Sequence, residues 1–368
     1  MKPVRAEDIH VTFKNVSKTY DAHTFVVDNL NLAIRHGEFL TLLGPSGSGK
    51  TTSLMMLAGF EQPTSGEIFL GDSEISKLPP QKRGIGMVFQ SYALFPHMTV
   101  NENLAFPLQA RGVDRSKIAE KVSAALDMVR LTTIGSRKPQ QLSGGQQQRI
   151  ALARALIAEP RVVLMDEPLG ALDKQLRDHM QLEIRGLHER LGVTIVYVTH
   201  DQGEAMTMSD RVAVFHAGKI QQLAPPRDIY DRPANAFVAS FIGESNRVPG
   251  QVVELDGRHC RVVLIDGTVV GGRPADVSEV GESAVLSIRP ERVLLGASSA
   301  NCDAQLNATC GGTIFHGDHM RIRLVHDVLG EITAKVPSSG LNSVPETGAD
   351  VKFGWREDDV TVLRHNRQ

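Results

Sequence analysis

The pattern of apolar and polar positions divides the chain into two regions. From about residue 9 to residue 241, short apolar runs alternate with segments whose apolar positions recur at helical spacing. Residues 40–43 and 162–165 are uninterrupted apolar runs, as expected for strands that are covered on both faces. One long helix with a single buried stripe is predicted from Leu172, Leu176, Met180, Ile184, Leu187 and Leu191. The alternation predicts an α/β domain with a largely parallel sheet.

The same pattern predicts a helical insertion and a second domain. Apolar positions at helical spacing between residues 118 and 129 indicate that about residues 91–142 form a mostly helical insertion. From about residue 246, short apolar runs are separated by Asp-Gly turns at residues 256–257 and 266–267, which are typical of β-hairpins. We therefore expect a first domain over residues 8–242 and a small all-β barrel or sandwich over residues 243–368.

Composition narrows the possible classes of function. The 368 residues are 41% hydrophobic and 22% charged, which suits two globular domains. The formal net charge is -2 without a block of like charges, so we expect no nucleic-acid partner. There is no apolar run of about 18 residues and no apolar signal stretch, so action at a membrane would require a partner. Three cysteines without a CxxC pair indicate a reducing cytoplasm.

A glycine-rich segment follows the first apolar run. Residues 44–51 read Gly-Pro-Ser-Gly-Ser-Gly-Lys-Thr, which fits GxxxxGK[ST] between a strand and a helix. In such a loop the backbone N–H groups point at phosphate oxygens, the lysine reaches the β- and γ-phosphates and the final hydroxyl binds Mg²⁺. The nucleotide-binding residues predicted here are Gly44, Ser46, Gly47, Ser48, Gly49, Lys50, Thr51 and Thr52. A glycine-rich turn without a ligand is the alternative.

Two acids follow the second apolar run. Asp166 and Glu167 would lie at the carboxyl edge of the sheet, where open α/β sheets bind ligands. Asp166 would hold Mg²⁺, directly or through water, and Glu167 would orient or deprotonate the attacking water. Solvated acids at the end of a strand are the alternative.

A second glycine-rich segment lies at the start of another predicted helix. Residues 142–146 read Leu-Ser-Gly-Gly-Gln. Ser143, Gly144, Gly145 and Gln146 would form a second anion-binding surface at a helix N-terminus. An ordinary serine N-cap with flexible glycines is the alternative.

Together these motifs resemble those of ABC transporter nucleotide-binding subunits over the whole first domain. LSGGQ at residues 142–146 is the signature of that family. The resemblance implies an α/β P-loop NTPase (ABC ATPase) domain with a helical insertion, followed by an all-β, OB-like domain of the TOBE type. It also implies hydrolysis of ATP with Mg²⁺ in a homodimer, in which each ATP lies between the phosphate loop of one copy and LSGGQ of the other.

The resemblance assigns further residues to the site. Tyr20 would stack on adenine, and Gln90 would contact Mg²⁺ and link the attacking water to the membrane subunit. Asp173 belongs to the loop that communicates across the dimer, and His200 would contact the γ-phosphate. Glu167, His200 and Gln90 are thus the catalytic candidates, and Thr51, Gln90 and Asp166 are the candidate metal ligands. The structural alternatives are a packed aromatic for Tyr20, a surface glutamine for Gln90, and a helix cap or core histidine for His200.

The resemblance also implies partners, a location and a cargo. The apolar loop at residues 91–98 would form a groove for a short helix of a membrane subunit, or would pack against the helical insertion. The partners implied are two membrane-spanning permease subunits and an extracytoplasmic solute-binding protein, which places this chain peripherally on the cytoplasmic face of the plasma membrane. Residues 165–173 and 181–183 are most similar to those of spermidine/putrescine (polyamine) importers. Importers of ferric iron, 2-aminoethylphosphonate or sulfate are alternatives, and so is a soluble ABC ATPase that is not tied to transport.

Overall fold

The computed structural model describes residues 9–340 and 344–365. The chain divides into two compact units, Met1–Pro226 and Arg227–Gln368. The sequence-based domain limits at residues 8 and 368 lie outside the described residues. The units divide between residues 226 and 227, within the first turn of the first of two short helices that the sequence analysis placed in a first domain ending at residue 242.

The first unit contains two sheets. Its strands are β1 Ile9–Thr19, β2 Phe25–Arg35, β3 Phe39–Leu43, β4 Ser65–Leu70, β5 Ser73–Glu74, β6 Ile85–Val88, β7 Val162–Asp166, β8 Thr194–Thr199, β9 Arg211–His216 and β10 Lys219–Ala224. One sheet is antiparallel and has the order β2-β1-β4-β5. The other has the order β10-β9-β3-β8-β7-β6, and it is parallel except for β10 at one edge. The predicted parallel sheet is therefore confirmed.

Burial explains the uninterrupted apolar runs of this sheet. All residues of β3 and β8 are buried, as are the first four residues of β7. Strands that are covered on both faces need apolar side chains at every position. The parallel order brings the carboxyl ends of β3, β7 and β8 next to one another, and the candidate site is built there.

Helices cover the parallel sheet and form the insertion. They are α1 Lys50–Ala58, α2 Val100–Ala110, α3 Arg115–Met128, α4 Gly144–Leu156, α5 Lys174–Leu191 and α6 Gln202–Met208. Short 3-10 turns occur at Pro80–Lys82 and Pro139–Gln141. Within residues 91–142 lie α2 and α3, which pack against α4 through an apolar cluster that includes Leu104, Val122 and Ile150. The long helix predicted from residue 172 begins at Lys174, because the Asp173 carboxylate caps its first turn.

The second unit is a β domain that begins with two short helices. Its elements are α7 Pro226–Asp231, α8 Ala236–Phe241, β11 Asn246–Leu255, β12 Cys260–Leu264, β13 Val269–Pro274, β14 Ser283–Ile288, β15 Leu294–Leu295, β16 Ala304–Phe315, β17 His319–His326, β18 Gly330–Pro337, β19 Asp350–Trp355 and β20 Val360–Arg364. Its 3-10 turns are Pro290–Arg292, Gly296–Asn301, Ser338–Gly340 and Glu357–Asp359. Strands β11-β12-β13-β20-β14 close into a barrel, and β15-β19-β16-β17-β18 form a second sheet. The closed barrel confirms the expected OB-like domain, and the two Asp-Gly hairpins lie where they were predicted, β11–β12 and β12–β13.

A buried arginine explains why α7 and α8 belong to the β domain. The Arg289 guanidinium donates to the carbonyl oxygens of Tyr230, Ala239 and Glu244, at 3.1 Å each, and lies 4.4 Å from the centre of the Tyr230 ring. The Tyr230 hydroxyl donates in turn to the Glu291 carboxylate at 2.5 Å. These contacts hold both helices on the barrel, and hydropathy patterns do not reveal such polar contacts.

Candidate functional site

The glycine-rich segment 44–51 forms the turn between β3 and α1. Gly47 and Gly49 have φ angles of +76° and +101°, which side-chain-bearing residues rarely adopt. A Cβ atom at Gly49 would also lie 2.5 Å from the carbonyl oxygen of Val26. Within the turn, Gly44 and Ser48 are buried, Ser46 and Gly47 are exposed, and Thr52 is half-buried in the first turn of α1. The glycines therefore permit a tight loop that presents its backbone at the start of a helix.

Lys50 folds back onto this loop. Its Nζ atom donates to the carbonyl oxygens of Gly44 and Pro45, at 2.8 Å each, and the residue is 5% exposed. Burial lowers the pKa of Lys50, while the Glu167 and Asp166 carboxylates act in the opposite direction. The loop thus holds an ammonium group in a fixed place beside the backbone N–H groups.

Thr51 and Asp166 meet where β3 and β7 end. The Thr51 hydroxyl donates to Oδ1 of Asp166 at 3.0 Å. Burial raises the pKa of Asp166, with Glu167 acting in the same direction and Thr51 and Lys50 acting against it. A hydroxyl beside a half-buried carboxylate provides the oxygen ligands that Mg²⁺ takes in phosphate sites.

Glu167 contacts a different partner from its neighbour Asp166. Its Oε1 lies 3.2 Å from Nδ1 of His200, which directly follows β8. Glu167 has a φ of +44°, and its N–H donates to the Val198 carbonyl at 3.0 Å. A left-handed residue turns the chain sharply after the strand. Two adjacent acids therefore reach separate partners, Thr51 and His200.

Gln90 lies beside this cluster, whereas Asp173 caps the start of α5. Gln90 is exposed two residues after β6, and its Nε2 atom would lie 3.7 Å from a Cβ added at Gly170. The same Cβ would lie 3.5 Å from the carbonyl oxygen of Glu167, so Gln90 is close to the turn that follows the acids. The Asp173 carboxylate accepts the Leu176 N–H at 2.9 Å and is exposed. Asp173 thus has a local capping role in this chain.

Residues 143–146 form the N-terminus of α4. The Ser143 hydroxyl accepts the Gln146 N–H at 3.3 Å, and the Gln146 side chain accepts the Ser143 N–H at 3.1 Å, a reciprocal capping box. Ser143 and Gly144 are exposed, whereas a Cβ at Gly145 would meet the Leu176 side chain at 3.1 Å. In the part of the chain that the structure describes, no hydrogen bond or ion pair joins residues 143–146 to the phosphate loop, to either acid or to His200. The structure thus links Thr51 with Asp166 and Glu167 with His200, but it links residues 143–146 with none of them.

Tyr20 lies just beyond the end of β1. The residue is 63% exposed, and Nζ of Lys18 lies 4.8 Å from the centre of its ring. Such exposure argues against the packed aromatic that was the alternative for Tyr20. Across the described ranges, no hydrogen bond or ion pair links Tyr20 to the other candidates. An exposed ring is free to stack on a flat ligand.

The sequence analysis missed the residues that hold the segment around His200. The Thr199 hydroxyl donates to the Glu204 carboxylate at 2.7 Å, and Glu204 is 3% exposed. Asp201 caps α6 by accepting the Glu204 N–H at 3.1 Å. The Asp-x-x-Glu spacing is a helix-start signal that could have located α6. It does not reveal that the Glu204 side chain is buried against β8.

Comparisons with known proteins agree with this geometry. The family model described as ABC transporter matches residues 27–170, and the model described as TOBE domain matches residues 286–363. The spermidine/putrescine import ATP-binding protein PotA of Rubrobacter xylanophilus is 48% identical over 98% of this chain and 95% of its own length. The protein of the same name from Thermobifida fusca is 43% identical over 96% of this chain and 93% of its own.

Solved structures match about three fifths of this chain. The ATP-binding cassette MJ0796, a dimer in a post-hydrolysis state with ADP and Pi, is 34% identical, with a TM-score of 0.53 over 59% of this chain and 99% of that one. CbiO1 from Clostridium perfringens, part of an ABC transporter complex, is 27% identical, with a TM-score of 0.57 over 61% and 91%. No helix among the described residues has the length and apolar character needed to cross a membrane.

The fold and the site define an ATP-binding enzyme that hydrolyses ATP. The chain belongs to the ABC transporter family, as the ATP-binding subunit of an importer.

Proposed function

We propose that this chain energises import of spermidine or putrescine by hydrolysing ATP with Mg²⁺, as one of two identical copies bound to two permease subunits. The relatives that match it from end to end carry the name of that activity. The observation that carries the proposal is the continuous arrangement of the phosphate loop, the Thr51–Asp166 pair and the Glu167–His200 pair at adjacent strand ends.

Each residue type suits one part of the chemistry. Lys50 and the loop N–H groups bind the β- and γ-phosphates. Thr51 and Asp166, with Gln90, would hold Mg²⁺, which would supply positive charge to offset the charge on the phosphate oxygens. The donors fit a divalent cation, since the Thr51 hydroxyl and the half-buried Asp166 carboxylate place two oxygen atoms 3.0 Å apart.

Glu167 and His200 act on the water and the γ-phosphate. The Glu167 carboxylate orients and deprotonates the attacking water. His200 contacts the γ-phosphate and holds Glu167 through their 3.2 Å contact. Tyr20 stacks on adenine. Residues 143–146 of the second copy, and Asp173 at the start of α5, complete the site across the dimer.

The loop at residues 91–98 is the proposed contact with a permease subunit. The buried Asn103 side chain fixes the Phe95 backbone by accepting its N–H at 2.9 Å and donating to its carbonyl at 3.1 Å. The Phe95 ring lies 4.8 Å from the ring of Phe106, which is 41% exposed, and both line a cavity of about 380 Å³. A half-open apolar groove of this kind fits a short amphipathic helix. Through it the chain would lie on the cytoplasmic face of the plasma membrane, with the solute-binding protein on the other side.

Deletion of the gene, followed by uptake of labelled solutes, tests the cargo. Spermidine or putrescine uptake should fall and be restored by the intact chain, while uptake of ferric iron, 2-aminoethylphosphonate and sulfate should not change. If only the uptake of ferric iron, 2-aminoethylphosphonate or sulfate falls, that solute is the cargo and the polyamine proposal is wrong. Unchanged uptake of all of them would favour an ABC ATPase without a transport role.

A charged residue in the proposed groove tests whether the groove couples ATP hydrolysis to transport by the permease. Phe95→Asp should leave ATP hydrolysis by the purified chain near normal and abolish uptake, because an aspartate disrupts an apolar contact. Leu182→Asp is the matched control, since Leu182 is 66% exposed on α5 and does not line the groove. Normal uptake with Phe95→Asp would contradict the groove.

A further inference from the structure

One guanidinium group joins two loops of the candidate site. Arg177 lies in the first turn of α5, and its Nη2 donates to the carbonyl oxygen of Leu172 at 3.0 Å. Its Nη1 donates to Oδ2 of Asp201 at 3.1 Å. Leu172 belongs to the loop at residues 170–173, and Asp201 directly follows His200. Arginine is suited to such a bridge, because its planar fork presents several donors in fixed directions.

A buried carboxylate anchors the other side of His200. Glu204 is 3% exposed and accepts hydrogen bonds from the hydroxyls of Tyr197 and Thr199, at 2.7 Å each. Thr199 directly precedes His200, and its hydroxyl oxygen also accepts the Asp201 N–H at 3.0 Å. The residues on both sides of His200 are therefore tied to fixed partners.

The two anchors form one cluster of charges. Arg177 Nε lies 3.8 Å from Oε1 of Glu204, and Asp201 also caps the helix that carries Glu204. Burial raises the pKa of Glu204, and the hydrogen bonds from Thr199 and Tyr197 act against that shift. A buried carboxylate of this kind is held in place by its donors and by the nearby guanidinium. The loop at residues 170–173 is thus connected through Arg177 to the segment that carries His200.

We propose that Arg177 is a positioning residue for ATP hydrolysis, which fixes His200 against Glu167 by joining the loop at residues 170–173 to Asp201. This inference rests on the roles of Glu167 and His200 under the proposed function. Arg177 itself touches neither residue in the hydrogen bonds and ion pairs of the described chain. Its effect on the reaction passes through the 3.2 Å contact between His200 and Glu167.

The same helix offers a matched control. Arg185 also lies on α5 and donates to a main-chain carbonyl, Met208 at 2.8 Å, and to an aspartate, Asp210 at 2.9 Å. The side chains of Arg177 and Arg185 are 28% and 29% exposed. Replacing either arginine by methionine removes equivalent contacts, but the Arg185 contacts reach residues 208–210 instead of the His200 segment.

Steady-state hydrolysis of ATP by the full chain is the first measurement. Arg177→Met should lower kcat about 10- to 100-fold, the range expected when a reacting group is misplaced, with KM for ATP changing much less. Arg185→Met should keep kcat near that of the unsubstituted chain. Arg177→Lys guards against misfolding, because it keeps a positive charge beside Glu204. Lysine lacks the two separate guanidinium nitrogens that contact Leu172 and Asp201, so kcat should remain below that of the unsubstituted chain.

A double-mutant cycle shows whether Arg177 acts through His200. In a His200→Ala background, Arg177→Met should change kcat by less than about 3-fold, since coupled residues are not additive. The inference would be overturned if Arg177→Met lowered kcat equally with His200 present and with His200→Ala. It would also be overturned if Arg185→Met lowered kcat as much as Arg177→Met does. If His200→Ala itself leaves kcat unchanged, the proposed role of His200 fails instead.

A second readout does not depend on activity. The imidazole resonances of His200 can be assigned by their loss in His200→Ala. They should move in Arg177→Met and stay in place in Arg185→Met. Unmoved resonances in Arg177→Met would refute the positioning role whatever the kinetics show. If the His200 resonances move in Arg177→Met but kcat does not change, Arg177 contacts the His200 segment without affecting hydrolysis, and the proposed role in hydrolysis is refuted.

Discussion

Two glycine-rich segments of the chain differ in the groups that they could offer to an anion. They are the phosphate loop before α1 and residues 143–146 at the start of α4. Both place glycines at a helix N-terminus, where backbone N–H groups attract anions. The phosphate loop also has the buried ammonium of Lys50 and, through Thr51, a link to Asp166. Residues 143–146 have their own capping box, and their first two residues are exposed. Among the described residues, the phosphate loop thus has a buried ammonium and a link to a carboxylate that residues 143–146 lack.

The difference indicates what residues 143–146 lack. The Ser143 hydroxyl accepts a hydrogen bond from Gln146 and can still donate its own proton. A phosphate brought by a second copy would supply the acceptor and would lie on the positive end of α4. ATP held in this way stabilises the dimer by its affinity for that state alone.

The largest effect is expected from Glu167→Gln. The amide keeps the shape of the side chain but cannot accept a proton from water, so kcat should fall about 10²- to 10⁴-fold. ATP should still bind, and the chain should accumulate as an ATP-bound dimer. Steady-state hydrolysis and size-exclusion chromatography with light scattering, with and without ATP, would measure both effects.

A surface glutamate provides the control for Glu167. Glu159 is exposed and pairs with Lys121 at 2.6 Å. Glu159→Gln removes the same charge and should leave kcat within about 2-fold, since exposed pairs contribute little. A Glu167→Gln chain that stays monomeric in saturating ATP, alone and with the permease subunits, would contradict a site shared between two copies.

Ser143→Arg, added to Glu167→Gln, tests residues 143–146 themselves. A long cation at the positive end of α4 should repel Lys50 of the second copy and abolish the ATP-bound dimer. Binding of ATP to the monomer should change little, because the phosphate loop is complete without residue 143. Light scattering and the Kd for ATP separate the two effects.

Ser123→Arg is the matched control for Ser143→Arg. Ser123 is exposed on α3 and lies in none of the candidate segments. The same side chain there should leave the dimer intact. A Ser143→Arg dimer that persists in ATP would show that residues 143–146 do not face a phosphate.

The parts of the site that sequence could predict follow from local rules. Strand, glycine loop and helix are consecutive at residues 39–58, so their order alone places Lys50 and Thr51. Asp166 and Glu167 were predicted at the sheet edge because a buried run ends there. Their separate partners were not predicted, since the positive φ of Glu167 leaves no sign in the hydrophobic pattern.

The parts that sequence could not predict depend on contacts between distant residues. The Glu204 carboxylate meets β8, and Arg289 holds α7 and α8 on the barrel, through polar side chains whose direction is set by the completed fold. A periodicity argument places polar residues on the surface by default. It therefore does not reveal either of these buried groups.

The smallest effect concerns stability and compares the two glycine segments directly. Gly49→Ala should lower the free energy of unfolding by about 1–3 kcal/mol, because it forces a φ of +101° on alanine and places a Cβ 2.5 Å from the Val26 carbonyl oxygen. Gly144→Ala should stay within about 0.5 kcal/mol, as is usual away from strained or buried features. Its Cβ would meet the end of the Leu172 side chain at 3.3 Å, and alanine is the better helix former.

Urea unfolding of the full chain can separate the two units, since its one tryptophan, Trp355, is buried in the second unit. The circular dichroism transition of the first unit should shift to lower urea in Gly49→Ala, while the Trp355 fluorescence transition stays in place. Equal shifts for both alanine variants would show that the phosphate loop is no more constrained than the segment at residues 143–146.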